Sequence, residues 1–184
     1  MLAYLFWHQP AEGQERTGYE QALVAFHERL RTVARPSGLV GSGSARVGRL
    51  PWTPGEGYED CYLVEGFSSL GTLNTAAVDD AHVATHNRVA RAAGFGVGGL
   101  YALDSGEPML AGGHCAWVTK PAGVDYDQFH KQLGPLASVA DTAIWRRQMV
   151  LGPAPEFRLT GDHPFSLPAE LEPLTCQRTA VGTT

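Results

Sequence analysis

Two histidines four residues apart, His82 and His86, are the side chains whose type and spacing most directly suggest chemistry. Residues i and i+4 of an α-helix share a face, so such a pair brings two imidazoles to one place. They lie in Val-Asp-Asp-Ala-His-Val-Ala-Thr-His-Asn-Arg-Val-Ala-Arg-Ala-Ala, residues 78–93. This stretch reads as a helix with Asp79 and Asp80 at its start and Gly94 just past its end. At about 100° per residue, Val78, Val89 and Ala93 fall on the histidine side, and Asp80, Asn87, Arg88 and Arg91 fall opposite. Both rings are therefore predicted to point inward, where a polar group without a partner costs free energy. Three readings fit. The rings are an acid/base pair in a pocket, since imidazole titrates near neutrality. They hold a metal with a third ligand from Asp79, His8 or His114. Or they are core histidines bonded to backbone. The zinc-protease arrangement fails, because Val83 stands where that motif needs glutamate.

A second group is aromatic. Trp7, Tyr62 and Trp117 sit in strand-like runs, with His8 and His114 at the end and start of two of them. Strand aromatics usually fill a core, yet they also wall an apolar cavity for a planar ligand, and these five are the candidate ligand-binding residues. His27 and His130 each follow a phenylalanine at the edge of a helical stripe and read as packing residues. Cys61 reads as an inert thiol in a strand. Gly94-Phe-Gly-Val-Gly-Gly99 matches a dinucleotide-binding string, but it follows a helix and enters a strand, the reverse of the required order. Gly41-Ser-Gly-Ser44 lacks the lysine of a nucleotide loop. No organic cofactor is therefore called for, and no metal is assigned.

The elements that would position these residues alternate. Residues 3–8 form a short apolar strand with Leu5 and Trp7 on one face and Tyr4, Phe6 and His8 on the other. A helix from about Gly18 to Ala34 carries the stripe Tyr19, Leu23, Phe26, Leu30, Val33. Strands follow at residues 39–50, bent by its glycines, and 58–67. Residues 68–77 read as a connection with a helical turn, ahead of the histidine helix and a strand at 98–103. After a turn at Asp104–Pro108 the pattern restarts: a strand at 114–120, a helix from about Tyr126, strands near 143–151 and 156–159, a short capped segment at Ser166–Leu171, and a closing strand at 174–181.

The restart is also visible in residues. Pro10-Ala11 follows Phe-Trp-His-Gln, and Pro121-Ala122 follows Trp-Val-Thr-Lys. The helices read Tyr19-Glu-Gln…Phe26-His-Glu-Arg-Leu30 and Tyr126-Asp-Gln-Phe129-His-Lys-Gln-Leu133. The second lacks four residues, about one helical turn, which preserves the buried face. Two β-α-β-β-α-β units in tandem resemble the ferredoxin-like dimeric α/β-barrel superfamily fused into one chain. The expected fold is α+β, with a first half at residues 1–104 and a degenerate second half at 105–184 that lacks a full second helix. The resemblance implies sheets packed back to back and a ligand cavity between sheet and helices. Members of that superfamily include cofactor-free monooxygenases, isomerases, haem-handling enzymes and many proteins of unknown role, so the resemblance implies a role among these.

The totals agree with a soluble protein. With 14 basic and 19 acidic residues the net charge is -5, which argues against nucleic acid as a partner. Three cysteines without paired spacing argue against a disulfide framework. The start of the chain has no signal-peptide pattern and no apolar run approaches the ~20 residues of a membrane span. The expectations are a cytoplasmic protein, no membrane partner, a small-molecule ligand, and a homo-oligomer, because the short second-half segment leaves apolar sheet to be covered. The best functional reading is a small enzyme acting on an aromatic or apolar small molecule with His82 or His86 as acid/base. The alternatives are a non-catalytic small-molecule, metal or haem binder, or a structural oligomer.

Overall fold

The alternation of inward and outward residues along each apolar run dictates a sheet with two buried faces, and the computed structural model delivers it for residues 1–137 and 141–182. The first half contains β1 (Leu2–Pro10), α1 (Arg16–Thr32), β2 (Leu39–Val47), β3 (Gly57–Val64), α2 (Phe67–Ala76), α3 (Val83–Ala92) and β4 (Ala93–Ser105). The second contains β5 (His114–Val118), α4 (Tyr126–Ala137), β6 (Ala143–Arg147), β7 (Phe157–Gly161), a 3-10 turn at Ala169–Leu171, and β8 (Leu174–Ala180). The strands close into an antiparallel barrel in the order β1-β3-β2-β8-β5-β7-β6-β4. Each half supplies its strands in the order fourth, first, third, second, and the halves join where β2 meets β8 and β4 meets β6. This is the tandem ferredoxin-like α+β barrel expected from the repeat.

Inward residues meet on the barrel axis, where Trp7, Trp117, Trp145, Tyr101, Cys61 and Cys115 are buried. Outward residues meet the helices. Phe26 and Leu30 of α1 pack on Leu2, Tyr62, Val64 and Leu100, and Phe129 and Leu133 of α4 pack on Ala116, Val118, Phe157 and Leu159. The missing second helix of the second half is replaced by Phe165, Leu167 and Leu171, which cap that cluster.

Four local expectations are corrected. Residues 68–77 are not a mere connection, since α2 is a ten-residue helix. The histidine helix starts at Val83, not Val78, because Asp79 Oδ1 accepts from the Ala81 and His82 amides and turns the chain first. Val33 leaves the α1 stripe: it is the C-cap, 38% exposed. The Pro-Ala strings mislead by one residue. Counting back from them places Trp7 over Val118, whereas Trp7 and Trp117 both face the axis, 6.5 Å apart.

The glycine string of β4 has a packing cause. A Cβ at Gly96 would lie 2.3 Å from the Phe6 ring, at Gly98 3.0 Å from the Tyr4 ring, and at Gly99 3.1 Å from the Trp7 ring. These glycines let three β1 aromatics lie flat on β4, and Tyr4 and Phe6 thereby become part of a cavity wall.

Candidate functional site

A cavity of about 920 Å³ lies between the outer face of the first-half sheet and helices α1, α2 and α3. The volume is in the range of small-molecule sites. Its walls are largely apolar and aromatic: Phe6, Phe26, Leu70, Leu73, Val89 and Phe95. The polar lining is Tyr4, Tyr19, Tyr62, Asn74, Asp60 and His86.

Asp60 is the centre of the polar group, because β3 alternation turns it outward while its neighbour Glu59 turns to the axis. Its Oδ1 lies 3.2 Å from His8 Nε2 on β1 and 3.2 Å from His27 Nε2 on α1, and Tyr62 donates to its Oδ2 at 3.1 Å. His8 Nδ1 meets the Tyr19 hydroxyl at 2.7 Å. His8, His27 and Asp60 are all under 4% exposed. Burial alone would push the Asp60 carboxyl up, but the two imidazoles outweigh it and hold the group well below the usual carboxylate range. Burial first, and then the Asp60 charge, pushes the Tyr4, Tyr19 and Tyr62 hydroxyls up. These tyrosines are therefore O–H donors throughout the physiological range.

The hydrogen bonding around Asp60 is incomplete. Among the described residues, none makes a well-aligned hydrogen bond to Asp60 Oδ1, to either His27 nitrogen, or to the hydroxyls of Ser42 and Ser44. Ser42 and Ser44 stand opposite Tyr62 and Asp60 in the β2–β3 pairing, so these atoms cluster at one place. Buried polar atoms without partners are rare and mark functional chemistry or bound solvent.

Among the described residues, the second half lacks this cluster. Trp117 pairs with Arg158 as Trp7 pairs with Glu59, so Leu159 and Val118, both in the outer apolar cluster, stand where the first half has Asp60 and His8. His130, the counterpart of His27, is 40% exposed and lies 3.7 Å from Asp104. The fold is thus formed once with the Asp60 cluster and once without it, so barrel formation does not require the cluster.

The sequence-derived candidates are divided by the structure. His86 lines the cavity, edge-on to Phe26 with ring centroids 5.9 Å apart. The Asn87 side-chain oxygen is 3.2 Å from its Nδ1. His82 is elsewhere. As the residue that caps α3, it is fully buried with Nε2 2.7 Å from the Val33 carbonyl and Nδ1 2.9 Å from the Ala76 carbonyl and 3.0 Å from Asp79. It ties α1, α2 and α3 together. Of the five candidate ligand-binding residues, Tyr62 lines the cavity and His8 stands directly behind Asp60. Trp7 and Trp117 face the barrel axis, and His114 sits at the start of β5 against β7 and β8, so these three are not part of the cavity. Among the described residues no three or more His, Cys, Asp or Glu side chains are placed to hold a metal ion.

Two stability predictions arise here. His82→Leu removes the buried ring that bridges the part-buried carbonyls of Val33 and Ala76, an expected loss of about 1–3 kcal/mol in urea unfolding with the cavity intact. The second concerns acid. The folded-state pKa of Asp60 is depressed, so its ionisation contributes stability that is fully present above the unfolded value of about 4 and is lost as pH falls below it. The stability gap between wild type and Asp60→Asn should therefore narrow as pH is lowered from about 5, measured by denaturant titration at each pH.

No family model matches the sequence, and no curated protein matches it closely. Solved structures do match. An anthrone oxidase-like protein superposes with a TM-score of 0.50 at 10% identity, over 98% of this chain and 91% of its own. A protein described as a candidate monooxygenase from Lactobacillus acidophilus NCFM gives 0.50 at 10% identity, over 97% of this chain and 76% of its own. The chain shares their fold, an antiparallel barrel with helices packed outside it, here built from two β-α-β-β-α-β halves of one chain. At this identity the likeness establishes the fold and nothing finer.

Proposed function

We propose that this protein is a small enzyme that removes a proton from an aromatic or apolar small molecule carrying a hydroxyl or carbonyl group, in the cavity of its first half. The observation that carries this is the Asp60–His8–His27 cluster, buried and incompletely bonded beside the cavity, in a fold whose second copy dispenses with it. Roles follow from the chemistry. A carboxyl held far below its usual range is a poor proton acceptor, so Asp60 serves as a charged anchor for a ligand hydroxyl. His86, the imidazole that lines the cavity, is the general base. The Tyr4 hydroxyl, pushed up by burial and the Asp60 charge, donates to the oxygen on which negative charge develops, while Tyr62 and Tyr19 hold Asp60 and His8 in place. Proton removal of this kind begins both isomerisation and oxidation by dioxygen without an organic cofactor.

The test is turnover of phenols and enolisable aromatic ketones in air with no cofactor added. Anthrone is a suitable first probe, because it has an acidic C–H beside a carbonyl-conjugated ring and one structural neighbour is described as anthrone oxidase-like. Consumption by wild type and not by His86→Ala supports the reading. Binding without turnover would instead support a non-catalytic ligand carrier.

We also propose a cytoplasmic homo-oligomer. No helix among the described residues is long and apolar enough to cross a membrane. The loop Met149-Val150-Leu151 exposes 74%, 84% and 46% of its side chains, a contiguous apolar tip that another copy can cover. Sedimentation is expected to show an oligomer at about tens of micromolar, the range of weak interfaces, and Val150→Glu should dissociate it. A monomer at that concentration would refute the assembly.

A further inference from the structure

We propose that Cys115 and Cys176 form a peroxide-responsive thiol pair, which hydrogen peroxide converts into a disulfide linking β5 to β8. The two residues are direct partners in the antiparallel β5–β8 ladder. Such partners have Cα atoms about 4.5–5.5 Å apart, within the span of about 4.4–6.8 Å that a disulfide requires. Both side chains turn to the barrel axis, Cys115 within the buried core and Cys176 packed on it and half-buried.

The charges around them favour a thiolate. The Glu59 carboxylate on β3 is ion-paired with Arg158 on β7 and with Arg178 on β8, all without solvent exposure. Two guanidiniums thus face one carboxylate, and a thiolate at Cys115 supplies the second negative charge. Arg158 Nε donates to Cys115 Sγ at 3.2 Å. Burial would raise the Cys115 thiol, but the hydrogen bond from Cys176 and the two arginines outweigh it and lower the group to about 7. Cys176, the donor of that bond, is pushed up by it and by burial. The third cysteine is different: burial pushes Cys61 up to about 12, and its ladder partners are Leu5 and Gly43.

The reaction balances with peroxide as the sole oxidant. The Cys115 sulfur attacks one peroxide oxygen, an S–O bond forms, the O–O bond breaks, and hydroxide leaves. That hydroxide takes the Cys176 proton to give water. The Cys176 sulfur then attacks Cys115, the S–S bond forms, the S–O bond breaks, and the second hydroxide gains the proton that Cys115 lost on ionising. Two thiols and one peroxide give one disulfide and two waters. Cys115 is 1% exposed and Cys176 is half-buried, so a small oxidant is favoured over a bulky disulfide reagent.

The full-length chain is treated with hydrogen peroxide near neutral pH and its peptides are mapped without reduction. The expected product is an intramolecular Cys115–Cys176 link, reversed by a thiol reductant, with Cys61 still alkylated after unfolding. A link through Cys61, a link between chains, or no link would overturn the proposal. Cys176→Ser gives an independent arm, since loss of the second thiol leaves sulfenic acid on Cys115. Dimedone added on unfolding after the peroxide pulse should then label Cys115 at least about tenfold more than Cys61, as expected for a thiolate beside a buried thiol. Equal labelling, or heavier labelling of Cys61, would overturn it as well.

Discussion

Glu59→Gln is expected to lower the unfolding free energy by about 3–5 kcal/mol, because it leaves charges in the barrel without their counter-ion. Glu59 is 1% exposed and is the carboxylate to which Arg158 and Arg178 both bond, while its second oxygen accepts from Trp7 Nε1 at 2.9 Å. The amide keeps the shape and the Trp7 bond but removes the charge. For a domain whose total stability is about 5–15 kcal/mol, that is a large part of the whole. Urea unfolding of the variant gives the midpoint shift directly. A variant within about 1 kcal/mol of wild type, the scale of an exposed ion pair, would mean that the two arginines are relieved by water.

The second large effect is on chemistry, and it separates two residues that line the same cavity. His86→Ala is expected to reduce kcat by about 10²–10⁴, the usual contribution of a positioned general base, with KM little changed. Asp60→Asn is expected to act on binding, raising KM by roughly 10-fold or more, since a hydrogen bond to a charged group contributes about 1.5–3 kcal/mol. Steady-state kinetics on whichever aromatic substrate turns over distinguishes the two. If Asp60→Asn lowers kcat and leaves KM alone, the carboxylate and not His86 is the base.

Much of the architecture was legible because it rests on periodicity. The four-and-three spacing of Tyr19, Leu23, Phe26 and Leu30 and the matching Phe129 and Leu133 identified both sheet-covering helices, and the repeat identified the tandem barrel. Parity along β1 correctly put Trp7 on one face and His8 on the other. The site was less legible, because it is assembled by contacts distant in sequence. His27 and Asp60 are on different elements, and an imidazole after a buried Phe reads the same whether it is partly exposed, as His130 is, or buried against a carboxylate, as His27 is. One signal was present in the sequence. Glu59 and Asp60 are adjacent acids inside an otherwise aromatic and apolar strand, so one carboxylate must enter each buried face and each must find a partner there. His82 drew attention by its spacing from His86, but Asp79 turns the chain before the helix begins, so the two rings do not share a face.

The central claim is that the first-half cavity beside Asp60 is where a small aromatic molecule binds, and its most direct test is an NMR titration of the isotope-labelled protein with 1-naphthol, a neutral aromatic that carries one hydroxyl. The expected result is saturable shifts at the amides of Tyr4, Asp60, Tyr62, His86 and Phe95, weakened in Asp60→Asn, with the Phe129–Phe157 cluster of the second half unmoved. Saturable shifts confined to the second half, or equal binding by wild type and Asp60→Asn, would contradict it.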